Sequence, residues 1–145
     1  KVLIWRVTQS WQGVQIWKGG AAQVASQMAE ESMENEALRA GNTVYDSFCQ
    51  AGHMSNGKGA PGMNPPLTGT DWVVGEKERL INVVLNGLSE PIEIQGEIYQ
   101  NVMASHAFLS DQQIADVLTF IRQSFGNDAG AITPDEVAAV RKAAK

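Results

Sequence analysis

The chain has 145 residues, 43% of them apolar and 19% charged, which is enough for one domain with a real core plus extra segments. Its 16 acidic against 11 basic residues give a net charge of -5, which excludes nucleic-acid binding and predicts a basic patch on any protein partner. A single cysteine, Cys49, excludes an internal disulfide, and no apolar run approaches the roughly 18 residues of a transmembrane segment.

Lys1 opens neither a signal peptide nor an obvious initiator sequence, so a processed or excised chain is expected. Residues 1–7, rich in Val, Ile and Trp, predict a short strand, and Trp5, Trp11 and Trp17 recur through a segment ending at Gly19 and Gly20. From Ala21 helix is favoured, with Val24 and Met28 on one face. Glu30, Glu31, Glu34 and Glu36 follow as a solvated acidic face. Ala37, Leu38, Gly41, Val44, Tyr45 and Phe48 then fall at helical spacing and lead straight into Cys49.

After His53 the chain is broken by Gly57, Gly59, Pro61, Gly62, Pro65, Pro66 and Gly69, a composition for an ordered loop wrapped around something large and apolar. Residues 76–85 resume helix, with Leu80, Ile81, Val84 and Leu85 inward and Asn86-Gly87 as the stop. An extended piece over 92–99 comes next. Ser110 and Gln113 form a capping box ahead of the stripe Ile114, Val117, Leu118 and Ile121, in a helix expected to end at Gly126-Asn127. Thr133 and Glu136, with Pro134 at the first helical position, open a short terminal helix over Val137 and Val140.

Cys49-Gln50-Ala51-Gly52-His53 keeps the first thiol and the histidine of the haem-attachment spelling C-x-x-C-H, with Gly52 in place of the second thiol. At most one thioether can form. Alone the five residues are weak, but the helix before them, the loop after them and a late methionine stand in the right order. In that order the chain, from about Ala37 to Asn127, resembles class I c-type cytochromes.

The resemblance implies a mostly α cytochrome c fold, with residues 1–36 as an N-terminal arm and acidic helical segment, 37–127 as the cytochrome c domain and 128–145 as a C-terminal helical extension. It places Gly41, Tyr45 and Phe120 where two core helices cross. It implies haem c attached by a single thioether through Cys49, with iron ligated by His53 and by Met103, where Ala104 replaces the usual proline. It assigns the Pro65 carbonyl to the His53 ring proton, Leu67 to the same loop motif, Trp72 to a haem propionate, and Tyr99 and Asn101 to the distal loop. His106, the one other histidine, is the rival distal ligand. The function implied is single-electron transfer between redox-protein donor and acceptor, in the periplasm or another exported location, by a carrier or a domain of a larger oxidoreductase rather than an enzyme in itself. Two readings compete with it. One is a degenerate domain with non-covalent or lost haem that serves as a structural or interaction module, and the other is an enzyme or gas sensor with an open iron position. Plain roles stay open at this point: a small buried residue for Cys49, a surface or capped histidine for His53 and a core tryptophan for Trp72.

Overall fold

Two units divide the chain, Lys1–Glu36 and Ala37–Lys145. The computed structural model describes the backbone of residues 3–144 and the side chains of residues 20–144. Helix α1 (Leu3–Phe48) runs through the first unit and supplies the opening helix of the second.

In the first unit the expected strand is absent from Leu3 onward, since Leu3–Val7 are helical; Lys1 and Val2 lie outside the described residues. The β preference of Val, Ile and Trp is a preference for a half-buried pleated surface, and with no strand to pair against it gives way to helix. Gly19 and Gly20 do not interrupt α1 either, although each costs about 1 kcal/mol relative to alanine in a helix interior. Val24, Met28 and Met33 are exposed, as are Glu30, Glu31, Glu34 and Glu36, so the acidic run is a solvated face.

The second unit is built around helix α5 (Asp111–Gln123), which opens on the Ser110–Gln113 capping box. Ile114 and Leu118 are wholly buried, and burying each contributes about 1.5–3 kcal/mol. The end of α1 crosses α5 where Gly41 meets the main chain of Asp116 and the Cβ of Phe120, leaving no room for a side chain at that position. Tyr45 fills the space beside the crossing, its ring centroid 5.6 Å from Phe120 and 5.2 Å from Phe125. Helix α5 stops three residues earlier than the Gly126-Asn127 signal suggests. Asn127 is instead a buried clamp: its amide donates to the carbonyls of Leu67 and Ile121, and its Oδ1 accepts from the Gly69 N–H at 2.7 Å.

Helix α2 (Gln50–His53) follows α1 almost without pause, and the loop after it leads to α3 (Asp71–Val74) and α4 (Lys77–Asn86). Helix α4 buries Leu80, Ile81, Val84 and Leu85, as its spacing predicts. The extended piece is a hairpin: β1 (Ile92–Ile94) pairs antiparallel with β2 (Glu97–Tyr99), Ile92 facing Tyr99, and Gln95 and Gly96 take positive φ at the turn. Helix α6 (Pro134–Ala143) also starts on a capping box, and it packs against α4 and α5. The Thr119 hydroxyl bonds the main chain of Ile132, Lys77 pairs with Glu136, and Arg141 with Asp111. The buried Arg122 guanidinium donates to the carbonyls of Val73, Gly75 and Gly130, so the segment leading into α6 is tied to α3 through α5.

Candidate functional site

Helix α2 is one turn long, and its geometry places Cys49 and His53 on the wall of a cavity of about 330 Å³. The His53 N–H bonds the carbonyl of Cys49 at 2.9 Å, so the spacing of four is a helical turn that puts thiol and imidazole on one side. The wall is mostly apolar, with Leu80, Val84, Val117, Leu118 and Ile121 behind.

His53 Nδ1 lies 3.1 Å from the Pro65 carbonyl oxygen. A carbonyl can only accept, so Nδ1 carries the proton and Nε2 keeps its lone pair. Burial pushes the His53 pKa below its usual value, the Pro65 hydrogen bond opposes this, and the nearby His106 lowers it further. The imidazole is therefore neutral near pH 7, the form that binds a metal. The loop carrying Pro65 is itself fixed: Leu67 N–H donates to Gly57 O at 2.7 Å and Gly59 N–H to His53 O at 3.0 Å. Gly59 has φ of +62 and faces the main chain of Asn64 and Pro65, an approach that only glycine permits.

Cys49 is half-buried and free, and burial pushes its thiol up to about 11. It is thus protonated near pH 7 rather than a thiolate. Met103 also lines the cavity and is held through its main chain, its N–H donating to Leu88 O at 2.8 Å and its carbonyl accepting from Leu88 N–H at 2.9 Å. Gly87, at φ +76, lies against the Met103 carbonyl, where no Cβ would fit. Ser105 Oγ donates to Leu85 O, and the His106 N–H donates to Val84 O, so residues 103–106 are stitched onto the end of α4.

The structure brings Cys49, His53, Pro65, Leu67, Trp72, Tyr99, Asn101 and Met103 to the lining of one cavity, and His106 with them. Met54 and Met63 are exposed and do not line it. Trp72 lies under the Arg79 guanidinium, 4.7 Å from its ring centroid, and the Tyr99 hydroxyl donates to Glu97. Sequence reasoning missed Leu88, Ser105, Asn127 and Thr70. Leu88 acts through main-chain bonds, Ser105 and Asn127 through side-chain bonds to main-chain atoms distant in sequence, none of which leaves a motif, and Thr70 looks like a helix cap.

A haem fits this donor set. Thr70 stands at the N-cap of α3 without capping it, and among the described residues its hydroxyl and His106 Nδ1 are buried without a partner. Both residues line the cavity, so its wall holds unused polar capacity as well as apolar surface. No group of three or more His, Cys, Asp or Glu side chains gathers among the described residues to hold a metal by itself.

The cytochrome c family model matches residues 38–125. Cytochrome c-552 of Thermus thermophilus is 41% identical over 91 residues, covering 60% of this chain and 69% of its own length. The gluconate 2-dehydrogenase cytochrome c subunit of Pantoea cypripedii is 34% identical over 120 residues, 80% of this chain and 27% of the subunit. The quinone alcohol dehydrogenase cytochrome c subunit of Gluconacetobacter polyoxogenes is 37% identical over 109 residues, 74% of this chain and 23% of the subunit. The chain thus spans only about a quarter of the length of these dehydrogenase subunits.

Proposed function

The chain belongs to the cytochrome c family of haem-based electron carriers, and from that premise we propose that one haem c occupies the cavity with His53 and Met103 as its axial ligands. Haem-based electron transfer is the activity and haem c the cofactor. Cys49 holds the cofactor by a single thioether, because the chain has no second cysteine. The observation that carries the reading is the Pro65–His53 hydrogen bond, which leaves one imidazole nitrogen free and facing a largely apolar cavity.

When bound, the haem iron supplies a one-electron centre that alternates between ferric and ferrous states. The Pro65 carbonyl keeps the His53 proton on Nδ1, fixing the ring and making Nε2 more basic. The Met103 thioether, a soft donor, favours the reduced state. The Leu88 bridge and the Ser105 and His106 anchors hold the Met103 main chain in place, so little rearrangement accompanies the change of charge. Apolar walls of Leu80, Val84 and Leu118 keep water out and reduce the solvent reorganisation further.

A second reading rests on His106, whose buried Nδ1 is without a partner beside the same cavity. Met103→Ala should abolish the methionine–iron charge-transfer band of the ferric spectrum, and His106→Ala should keep it. The reverse outcome assigns His106 as the distal ligand.

Donor and acceptor are redox proteins. The relatives that serve as dehydrogenase subunits support a role as the cytochrome domain of a larger oxidoreductase or as a carrier beside one. The net charge of -5 suits partners with basic residues, which speed encounter at low salt. Covalent haem attachment supports a periplasmic or other exported location. No described helix is long and apolar enough to cross a membrane.

A further inference from the structure

Two asparagines of the chain are followed by glycine, Asn56 and Asn86. Glycine has no side chain to shield its nitrogen, so both pairs are open to spontaneous deamidation. The glycine nitrogen attacks the carboxamide carbon, a C–N bond forms, the bond to the amide nitrogen breaks and ammonia leaves with the peptide proton. Water then opens the cyclic imide at either carbonyl and leaves an aspartyl or an isoaspartyl residue. No oxidant or reductant is consumed. The two dipeptides are alike in sequence, and the fold makes them different.

Asn86 is the last residue of α4, and two bonds hold it out of reaction. Its amide donates to Asn82 Oδ1 at 2.6 Å, one turn back along the helix, which draws the carboxamide away from Gly87. The Gly87 N–H donates to Val83 O at 2.8 Å as the closing bond of the helix, so the nucleophile is occupied. Asn56 is exposed in the loop after α2. Its Oδ1 accepts from Lys58 N–H at 3.0 Å, closing a turn that folds the carboxamide back along the Gly57 peptide. That donor also polarises the carbonyl under attack and stabilises the oxyanion that develops there. The Gly57 N–H bond to Met54 O is longer, 3.1 Å, and shares its acceptor with the Tyr45 hydroxyl, which is closer at 2.6 Å.

We propose that Asn56 deamidates in the folded protein while Asn86 is protected, and that the isoaspartyl product loosens the loop that holds Pro65. The Gly59 N–H bond to His53 O closes a ring of main chain that contains residue 56, and Leu67 N–H is bonded to the adjacent Gly57 O. An isoaspartyl link runs the main chain through the β-carbon, one methylene longer, inside that ring. Gly57 has little room to absorb it, because the Phe125 ring packs against it where no Cβ would fit. The new carboxylate is also the first acidic group between Ser47 and Thr70. The Pro65 carbonyl that accepts from His53 Nδ1 is carried by the same loop, so the lesion acts on the histidine without touching it.

Incubation of the folded protein in mildly alkaline heavy-oxygen water tests both parts. The water that opens the imide leaves its label in the new carboxylate, and peptide mass spectrometry reads the label at each site. Asn56 should gain label at least about tenfold faster than Asn86, the scale of one well-placed oxyanion donor. In the urea-unfolded chain the two should react alike. Equal rates in the folded protein, or a faster Asn86, overturn the assignment, as does a preference for Asn56 that persists in urea. The isoaspartyl form, separated by ion exchange, should exchange the amide hydrogens of Gly59 and Leu67 at least about tenfold faster than fresh protein, the mark of local opening. Exchange at the fresh rate overturns the loosening of the loop. Neither readout involves the iron ligands, so the result is independent of the haem reading.

Discussion

Gly52 stands where a second attachment thiol would be, and the space around it is open, with no atom to meet a Cβ. A cysteine there needs no repacking. Gly52→Cys should therefore accept a second thioether, and its pyridine haemochrome band should move to shorter wavelength as the second vinyl is saturated. An unchanged band would mean that Gly52 does not face the vinyl. At the same scale, Cys49, His53 and Met103 stand out in the sequence because a thiol, an imidazole and a thioether are rare and their order is informative, and the fold brings the three to one cavity. Thr70 was not, because a threonine before Asp71 looks like an ordinary helix cap and only the fold leaves its hydroxyl without a partner. Asn127 was misread for a similar reason. Next to Gly126 it looks like a helix stop, yet its side chain is committed to Leu67, Gly69 and Ile121.

The crossing of α1 and α5 positions Cys49, because the last turn of α1 carries the chain directly into α2. Gly41 is the contact point, and any side chain there strikes the Asp116 main chain, which cannot swing aside. Gly41→Leu should cost about 3 kcal/mol or more, lowering the thermal midpoint by roughly 10–20 °C. Gly52→Ala, with open space around it, should leave the midpoint where it is. A Gly41→Leu protein that melts like wild type would show that the helices do not cross there. Elements with local signals were legible: the two capping boxes, and the buried face of α4, depend on residues three or four apart. The hairpin within 92–99 was seen only as extended chain, since its turn uses Gln95, an ordinary residue at positive φ. The Leu88–Met103 bridge joins residues 15 positions apart through main-chain atoms alone, so no side-chain pattern announces it. Leu3–Val7, within the strand expected over 1–7, are helical because composition without a pairing partner does not make a strand.

For the molecule as a whole, the distribution of charge matters more than its sum. Within the second unit the chain around the cavity is nearly neutral, Glu90 being the one charged residue of its lining, while acidic residues such as Glu76, Glu78 and Asp135 are exposed outside that lining. Helix α6 lies beyond the family match at residues 38–125, yet it is bound into the same unit through Arg141, Glu136 and Ile132. The fold thus gives a cavity lined by a neutral histidine, an anchored methionine and a lone thiol. A haem-free interaction module would share the fold but leave that cavity without its cofactor. Mass spectrometry of the denatured protein, matured where c-type haem is attached, decides between them. The polypeptide should carry the mass of one haem that survives denaturation and is lost in Cys49→Ala. A denatured chain at the bare polypeptide mass would contradict covalent attachment through Cys49 and, with it, the central claim.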